Sequence, residues 1–202
     1  MDGVKIRMMK YITGILISVL AVLYCTGLDG IKEKIKKPGL WIFTCCMPAV
    51  AILTAYFYEQ PGNFLVFCVT LIFLGICVYI DIETGMIPNA LVLFFLISGI
   101  LTVPFNPSVS WKEAGIGFAA TAAVFGAISF LSKGALGMGD VKLMSVLALV
   151  IGWKMFLTTL MIAIVASAVT GIFLLTARKK KRDARIPFSP FILIGAVICI
   201  LL

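Results

Sequence analysis

The sequence lacks histidine altogether and is poor in charge, with only 13% of its 202 residues being Asp, Glu, Lys or Arg. Soluble domains carry about twice that charged fraction. Zinc sites need Cys or His at short spacing. None of the six cysteines forms a Cys-x-x-Cys pair, and all lie within or at the ends of apolar runs. They are therefore interpreted as small buried hydrophobes, and the sequence predicts neither a metal site nor a disulfide framework.

What the sequence has in abundance is apolar side chains, which make up 62% of residues and give a mean hydropathy of +1.15. A soluble protein of this composition could not cover its own core, so lipid must contact most of the surface. The net charge of +8 is typical of cytoplasmic loops and of contact with anionic lipid. We expect no nucleic-acid partner, because the basic residues do not interleave with exposed aromatics.

Eight apolar segments predict an all-α, polytopic transmembrane helix bundle with about 6–8 membrane segments. They form a single transmembrane domain over 1–202, since no loop is long enough for a soluble domain. The N-terminal run imitates a signal peptide but ends in no convincing cleavage site, so we expect a retained first span. The segments are 9–27, 39–58, 62–80, 88–104, 111–131, 140–152, 155–177 and 188–202.

Orientation follows from the excess of Lys and Arg in loops that face the cytoplasm. With the N-terminus outside and all eight segments spanning, only Lys112 and Lys154 lie in outer loops. The basic residues near the N-terminus oppose this choice, but the Lys and Arg residues of the inner loops outnumber them. Loops 81–87 and 132–139 then face the cytoplasm. The inner loops hold Lys32, Lys34, Lys36, Lys37, Lys133, Arg178, Lys179, Lys180, Lys181, Arg182 and Arg185.

Two of the nine acidic residues stand directly at the edges of apolar runs: Asp81 ends one and Asp140 begins another. Carboxylates at such positions are costly and usually functional, although a lone one can simply cap a helix. Two neighbouring carboxyls can share one proton. The ionised one can activate water as a base, and the protonated one can serve as the acid in peptide hydrolysis. We therefore predict an aspartyl protease with Asp81 and Asp140 as its catalytic pair.

The residues around each aspartate add four expectations. Three glycines from 134 to 139 would let another backbone approach Asp140, unless they form an ordinary loop. Pro88 suits the first turn of the next helix. Glu83 is a rival acid, which points away from Asp81 in a helix but shares its side in an extended loop. Asp140 begins a helix and Asp81 ends one, and apolar neighbours desolvate Asp81, so we predict that Asp81 holds the shared proton. The alternative is that the pair shares it evenly.

These motifs resemble the prepilin peptidase family of intramembrane aspartyl proteases. Gly137-Met138-Gly139-Asp140 matches a Gly-x-Gly-Asp signature, and Asp81-Ile82 followed by Ile87-Pro88-Asn89 is similar to the first aspartate motif. The stretches 141–144 and 186–191 add to the likeness, which covers about 60–202. Ser189 departs from it, since glycine is expected there.

The resemblance implies a bacterial or archaeal enzyme of the inner (cytoplasmic) membrane that serves type IV pili or protein secretion. It would cleave a short basic leader from prepilin or pseudopilin precursors at the cytoplasmic face. Asp81 and Asp140 would be catalytic, with an active-site loop or substrate-positioning role for Gly137, Gly139, Pro88, Asn89 and Lys142.

The resemblance also bears on a second activity. Many bacterial members methylate the new N-terminus through an insert with two Cys-x-x-Cys pairs. The corresponding loop here, about 28–38, is short and has no cysteine. We therefore expect no methyltransferase activity and no cofactor, neither S-adenosylmethionine nor zinc.

Two other functions remain open from the residues alone. A small proton-coupled transporter would also place acids in the membrane, but such carriers often show repeated halves, and the sequence shows no convincing repeat. A non-catalytic pilus or secretion assembly factor would not need both aspartates.

Overall fold

A computed structural model describes residues 61–133, 136–176 and 187–201. The predicted segments 9–27 and 39–58, the loop 28–38 and the basic stretch 178–185 lie outside the described residues.

The described residues form six α-helices and one 3-10 turn, with no strand among them. The six predicted segments that fall in this part of the chain are all helical, so the all-α prediction is confirmed. The segment predicted to begin at 140 begins two residues earlier. The elements are α1 (Pro61–Thr84), α2 (Asn89–Thr102) with its 3-10 extension (Val103–Phe105), α3 (Trp111–Leu131), α4 (Met138–Ile151), α5 (Trp153–Thr176) and α6 (Ser189–Leu201).

Local sequence signals explain where these helices begin and end. At the start of α3, Ser110 and Glu113 form a capping box, in which each side chain accepts a hydrogen bond from the other residue's backbone N–H. Between α4 and α5, Gly152 adopts a φ of +81°, a conformation that strongly favours glycine. The chain therefore breaks there and begins a new helix at once.

Helix α1 lies inside the bundle, and it contacts α2, α4 and α6. Its apolar run Val66–Thr84 is 72% buried inside the protein, whereas that of α5 is only 11% buried. Phe73 of α1 and Phe95 of α2 stack with ring centroids 3.8 Å apart. The outer helices α3 and α5 instead expose apolar side chains such as Ile116 and Met161, as expected for surfaces in contact with lipid.

Three of the described helices are long and apolar enough to cross a membrane: Val66–Thr84, Trp111–Leu131 and Trp153–Leu174. Asn89–Phe105 and Ser189–Ile200 are shorter apolar segments. Helix α4 has 14 residues and thus spans about 21 Å. It is shorter than the hydrocarbon core of roughly 30 Å.

Glycines allow the close helix packing that holds the short helices in place. A Cβ atom at Gly195 of α6 would collide with the carbonyl oxygen of Thr159 on α5. A Cβ at Gly117 of α3 would lie 3.2 Å from the carbonyl oxygen of Ala148 on α4. Close approach of this kind is typical of helices that pack inside membranes.

The two ends of the bundle differ in chemistry. At one end, the buried amide of Asn106 donates a hydrogen bond to the carbonyl of Val150. At the other end, the C-terminus of α1 meets the N-termini of α4 and α6. The loop that follows α1 and the start of α4 therefore share one end, as the predicted alternation of spans requires. That this end faces the cytoplasm stays a prediction.

Candidate active site

Asp81 lies in the last turn of α1 and is buried, with 8% of its surface exposed. The helix ends just beyond it because Gly85 adopts a φ of +67° and its N–H donates to the carbonyl oxygen of Asp81, at 2.8 Å. This is a common helix C-cap, in which glycine avoids the strain of a left-handed conformation. The cap fixes the backbone from which the Asp81 side chain projects.

Glu83 also lies in α1, two positions after Asp81, but its side chain is exposed. Side chains two positions apart on a helix point to nearly opposite sides. Since the helix runs through Thr84, the extended-loop alternative for Glu83 does not apply. The geometry therefore places Glu83 outside the buried cluster around Asp81.

Asp140 is the third residue of α4, and Gly137 is the residue that caps this helix. A Cβ atom at Gly137 would lie 3.3 Å from Oδ2 of Asp140, so the carboxyl folds back over the capping residue. A Cβ at Gly139 would lie 3.3 Å from the Cβ of Ile87. The first turn of α4 thus packs against the loop that follows Asp81.

Electrostatics link the two aspartates. Burial of the Asp140 carboxyl, and secondly the negative charge of Asp81, raise the pKa of Asp140 from 3.8 to about 6. Asp140 lies outside the three candidate spans. The sequence-based expectation placed the shared proton on Asp81, and the raised pKa of Asp140 favours the reverse. The helix-dipole argument left out the burial of Asp140, which disfavours the ionised form of that carboxyl.

Three residues predicted to flank the site form its rim. Pro88 immediately precedes α2, and its carbonyl accepts hydrogen bonds from Leu91 and Val92. Asn89, the first residue of α2, accepts a hydrogen bond at 2.8 Å from Nζ of Lys142 on α4. Both partners are exposed. This bond joins the loop after Asp81 to the helix that carries Asp140.

An apolar cavity of about 570 Å³ opens beside this rim, between α2, α3 and α4. Met138, Val141 and Lys142 line it from the first turns of α4, and Phe118 lines it from α3. The cavity therefore begins at the first turn of α4, the turn that carries Asp140, and extends along the apolar faces of the helices.

Ser189 is a site residue that the sequence reasoning missed. It is the first residue of α6, is fully buried, and donates a hydrogen bond from Oγ to Oδ2 of Asp81 at 2.5 Å. Its only sequence signal was its departure from the expected glycine. No local pattern connects two residues that lie 108 positions apart.

Asp81 and Asp140 thus lie at one end of a helical membrane bundle. A helix cap positions the buried Asp81, and a glycine-flanked first turn positions the half-buried Asp140. The sequence profile described as "Type IV leader peptidase family" matches residues 68–172, just over half of the chain. The chain belongs to this family. The matched residues include Asp81 and Asp140 and end before Ser189. The predicted relationship to prepilin peptidases is therefore confirmed.

Individual relatives agree with this membership. The chain is 28% identical over 190 residues to a prepilin leader peptidase/N-methyltransferase of Bacillus subtilis, covering 92% of this chain and 75% of the relative. It is 28% identical over 169 residues to a Pseudomonas aeruginosa protein of the same name, covering 76% and 56%. A Legionella pneumophila relative, also so named, is 31% identical over 126 residues, covering 60% and 44%. The chain thus spans about half the length of the last two relatives, and no solved structure matches it significantly.

The relatives' names also include a second activity, N-methyltransferase. Among the described residues, no three His, Cys, Asp or Glu side chains gather in a metal-binding group. The described cysteines Cys68 and Cys77 are buried in α1, and Cys199 lies in α6. These described cysteines do not form a zinc site.

Proposed function

We propose that this chain is a membrane aspartyl endopeptidase that removes the leader from prepilin-like or pseudopilin precursors. The observation that carries the proposal is the pairing of Asp81 with Asp140, close enough for the charge of one to raise the pKa of the other. Such coupling is what two carboxyls need to share one proton. Membership of the leader peptidase family supports this reaction over ion transport.

In the first step, the ionised Asp81 removes a proton from a water molecule held between the carboxyls. The water oxygen forms a bond to the carbonyl carbon of the scissile peptide. Asp140 is the protonated partner, because burial raises its pKa to about 6, and it transfers its proton to the carbonyl oxygen. Substrate binding removes further water from Asp140 and strengthens this preference. The product of the step is a neutral tetrahedral diol.

In the second step, the carbon–nitrogen bond breaks. Asp81 returns the proton that it took from water to the leaving nitrogen, and one hydroxyl of the diol returns its proton to Asp140. The new carboxyl and amine termini form, and both aspartates recover their starting states. Each side chain thus acts once as acid and once as base.

The rim residues would position the precursor. Gly139 keeps the first turn of α4 against Ile87, so that the two catalytic loops stay together. Lys142 and Asn89 hold each other at 2.8 Å on the exposed side of the site, where they can also offer hydrogen bonds to an extended peptide. Gly137 leaves room for the Asp140 carboxyl.

The proposed location is the inner (cytoplasmic) membrane, with several spans and the active site facing the cytoplasm. Three candidate spans in the described residues support membrane insertion. The excess of Lys and Arg in the loops on the side of Asp81 and Asp140 supports the orientation. The precursors would then be processed before export, in service of a type IV pilus or a secretion system.

Co-expression tests the proposal. Candidate precursors with basic leaders followed by an apolar segment are expressed with and without this chain, and their electrophoretic mobility and N-termini are compared. Conversion to a shorter mature form only in the presence of the chain is expected. If intact precursor accumulates in the membrane beside a full amount of this protein, across a panel of such precursors, the assembly-factor alternative replaces the peptidase.

A further inference from the structure

Ser189 has an unusual position for a hydroxyl side chain in a membrane bundle. The buried hydroxyls of Thr70 and Ser145 each donate a hydrogen bond to a carbonyl one turn back in their own helix. Such bonds are the ordinary way to satisfy a hydroxyl within a helix. Ser189, by contrast, is 0% exposed and donates to the carboxyl of Asp81 on a different helix.

We propose that Ser189 is a positioning residue that holds the Asp81 carboxyl in its reactive orientation. The inference rests on the proposed peptidase activity. The hydroxyl donates a hydrogen bond to Oδ2 of Asp81 at 2.5 Å. Oδ1 is then the oxygen that accepts a proton from water. Without this donor, the carboxyl would lose its partner inside a buried site and rotate between alternatives. Catalytic groups must be held close to their productive geometry, so such rotation lowers turnover.

The surrounding structure makes Ser189 a rigid support. Phe188 accepts backbone hydrogen bonds from Phe191 and Ile192, which fixes the first turn of α6. Farther along, Gly195 brings α6 directly against the backbone of α5 at Thr159. The hydroxyl therefore projects from a helix that is anchored independently of Asp81.

A purely structural role makes a different prediction. If Ser189 only ties α6 to α1, its loss would lower the amount of folded protein without changing turnover per folded molecule. If it positions Asp81, its loss lowers kcat while KM stays nearly constant, because the precursor is still bound. Hydrogen bonds to charged groups are strong enough that kcat should fall about 10- to 100-fold.

The test compares Ser189→Ala and Ser189→Thr with the control Thr70→Val, in full-length protein purified in detergent. The substrate is a precursor shown to be cleaved by the wild-type chain. Infrared difference spectra of protein with ¹³C-labelled aspartate are recorded in parallel. The band lost in Asp81→Asn identifies the Asp81 carboxyl. Thr70 is as buried as Ser189 and also donates one hydrogen bond, but to the backbone of its own helix.

We expect Ser189→Ala to lower kcat, leave KM nearly unchanged and shift the Asp81 band. Ser189→Thr keeps the hydroxyl, so its kcat and its Asp81 band should be close to those of the wild type. Thr70→Val should change neither kcat nor the Asp81 band. A wild-type kcat in Ser189→Ala, or an unshifted Asp81 band, would overturn the inference. If Ser189→Ala does not accumulate, Ser189→Cys replaces it with a weaker donor, and the same two readings apply.

Failure of the proposed function gives a separate result. If the wild-type chain cleaves no precursor, the peptidase proposal fails. The infrared comparison then still decides whether Ser189 holds Asp81, because it requires no substrate.

Discussion

Replacing one carboxyl at a time by its amide tests which aspartate takes up the shared proton. With a pKa of about 6, Asp140 is roughly nine-tenths protonated at pH 5. An aspartate with the ordinary pKa of 3.8 is only about 6% protonated at the same pH. The protonated-carboxyl infrared band of ¹³C-aspartate protein at pH 5 should therefore come mainly from Asp140. It should vanish in Asp140→Asn.

The partner variant tests the causes of the raised pKa. Burial is the larger cause and the charge of Asp81 the smaller one. In Asp81→Asn the charge is removed but the burial remains, so the band should persist. Its titration midpoint should move below 6 but stay above 3.8. A band that vanishes in Asp81→Asn and persists in Asp140→Asn would refute this reasoning and return the proton to Asp81.

Three further predictions concern packing, topology and the second activity. Gly139→Val should push α4 away from Ile87 and lower cleavage at least tenfold. In the control Gly115→Ala the added Cβ atom meets no atom within 4 Å, so cleavage should not fall. Equal activity of both variants would contradict the packing argument. Cysteine reporters at Gly134 or Lys180 should react only with reagents that reach the cytoplasm, and labelling of both from outside would invert the topology. Mass spectrometry of the mature substrate should find an unmethylated N-terminus even with S-adenosylmethionine supplied, and a methyl group that depends on this chain would refute that expectation.

Much of the helical architecture could be predicted because lipid imposes a simple rule on the sequence. A run that must satisfy every backbone hydrogen bond in hydrocarbon becomes a helix, so the apolar segments after residue 60 correspond to α1 through α6. Pro88 marked the start of α2 correctly. The start of α4 at Met138 was placed two residues late, because the apolar pattern begins only after Asp140.

The side-chain arrangement of the site was harder to predict, because it depends on contacts between distant segments. The orientation of Glu83 stayed open until the cap at Gly85 showed that α1 continues through Thr84. The raised pKa of Asp140 depends on burial, which the helix-dipole argument left out. The partner of Asp81 was unforeseen for the same reason, since Ser189 reaches it only through the packing of α6 on α1.

The central claim is that Asp81 and Asp140 together perform the cleavage, and precursor processing by three purified variants tests it most directly. Asp81→Asn and Asp140→Asn should each leave the precursor intact while remaining folded in the membrane, because each step needs one carboxyl as the base and the other as the acid at the same time. Glu83→Gln, which alters an exposed carboxyl in the same turn, should process the precursor at the wild-type rate. Full cleavage by either aspartate variant, or loss of cleavage in Glu83→Gln alone, would contradict the account.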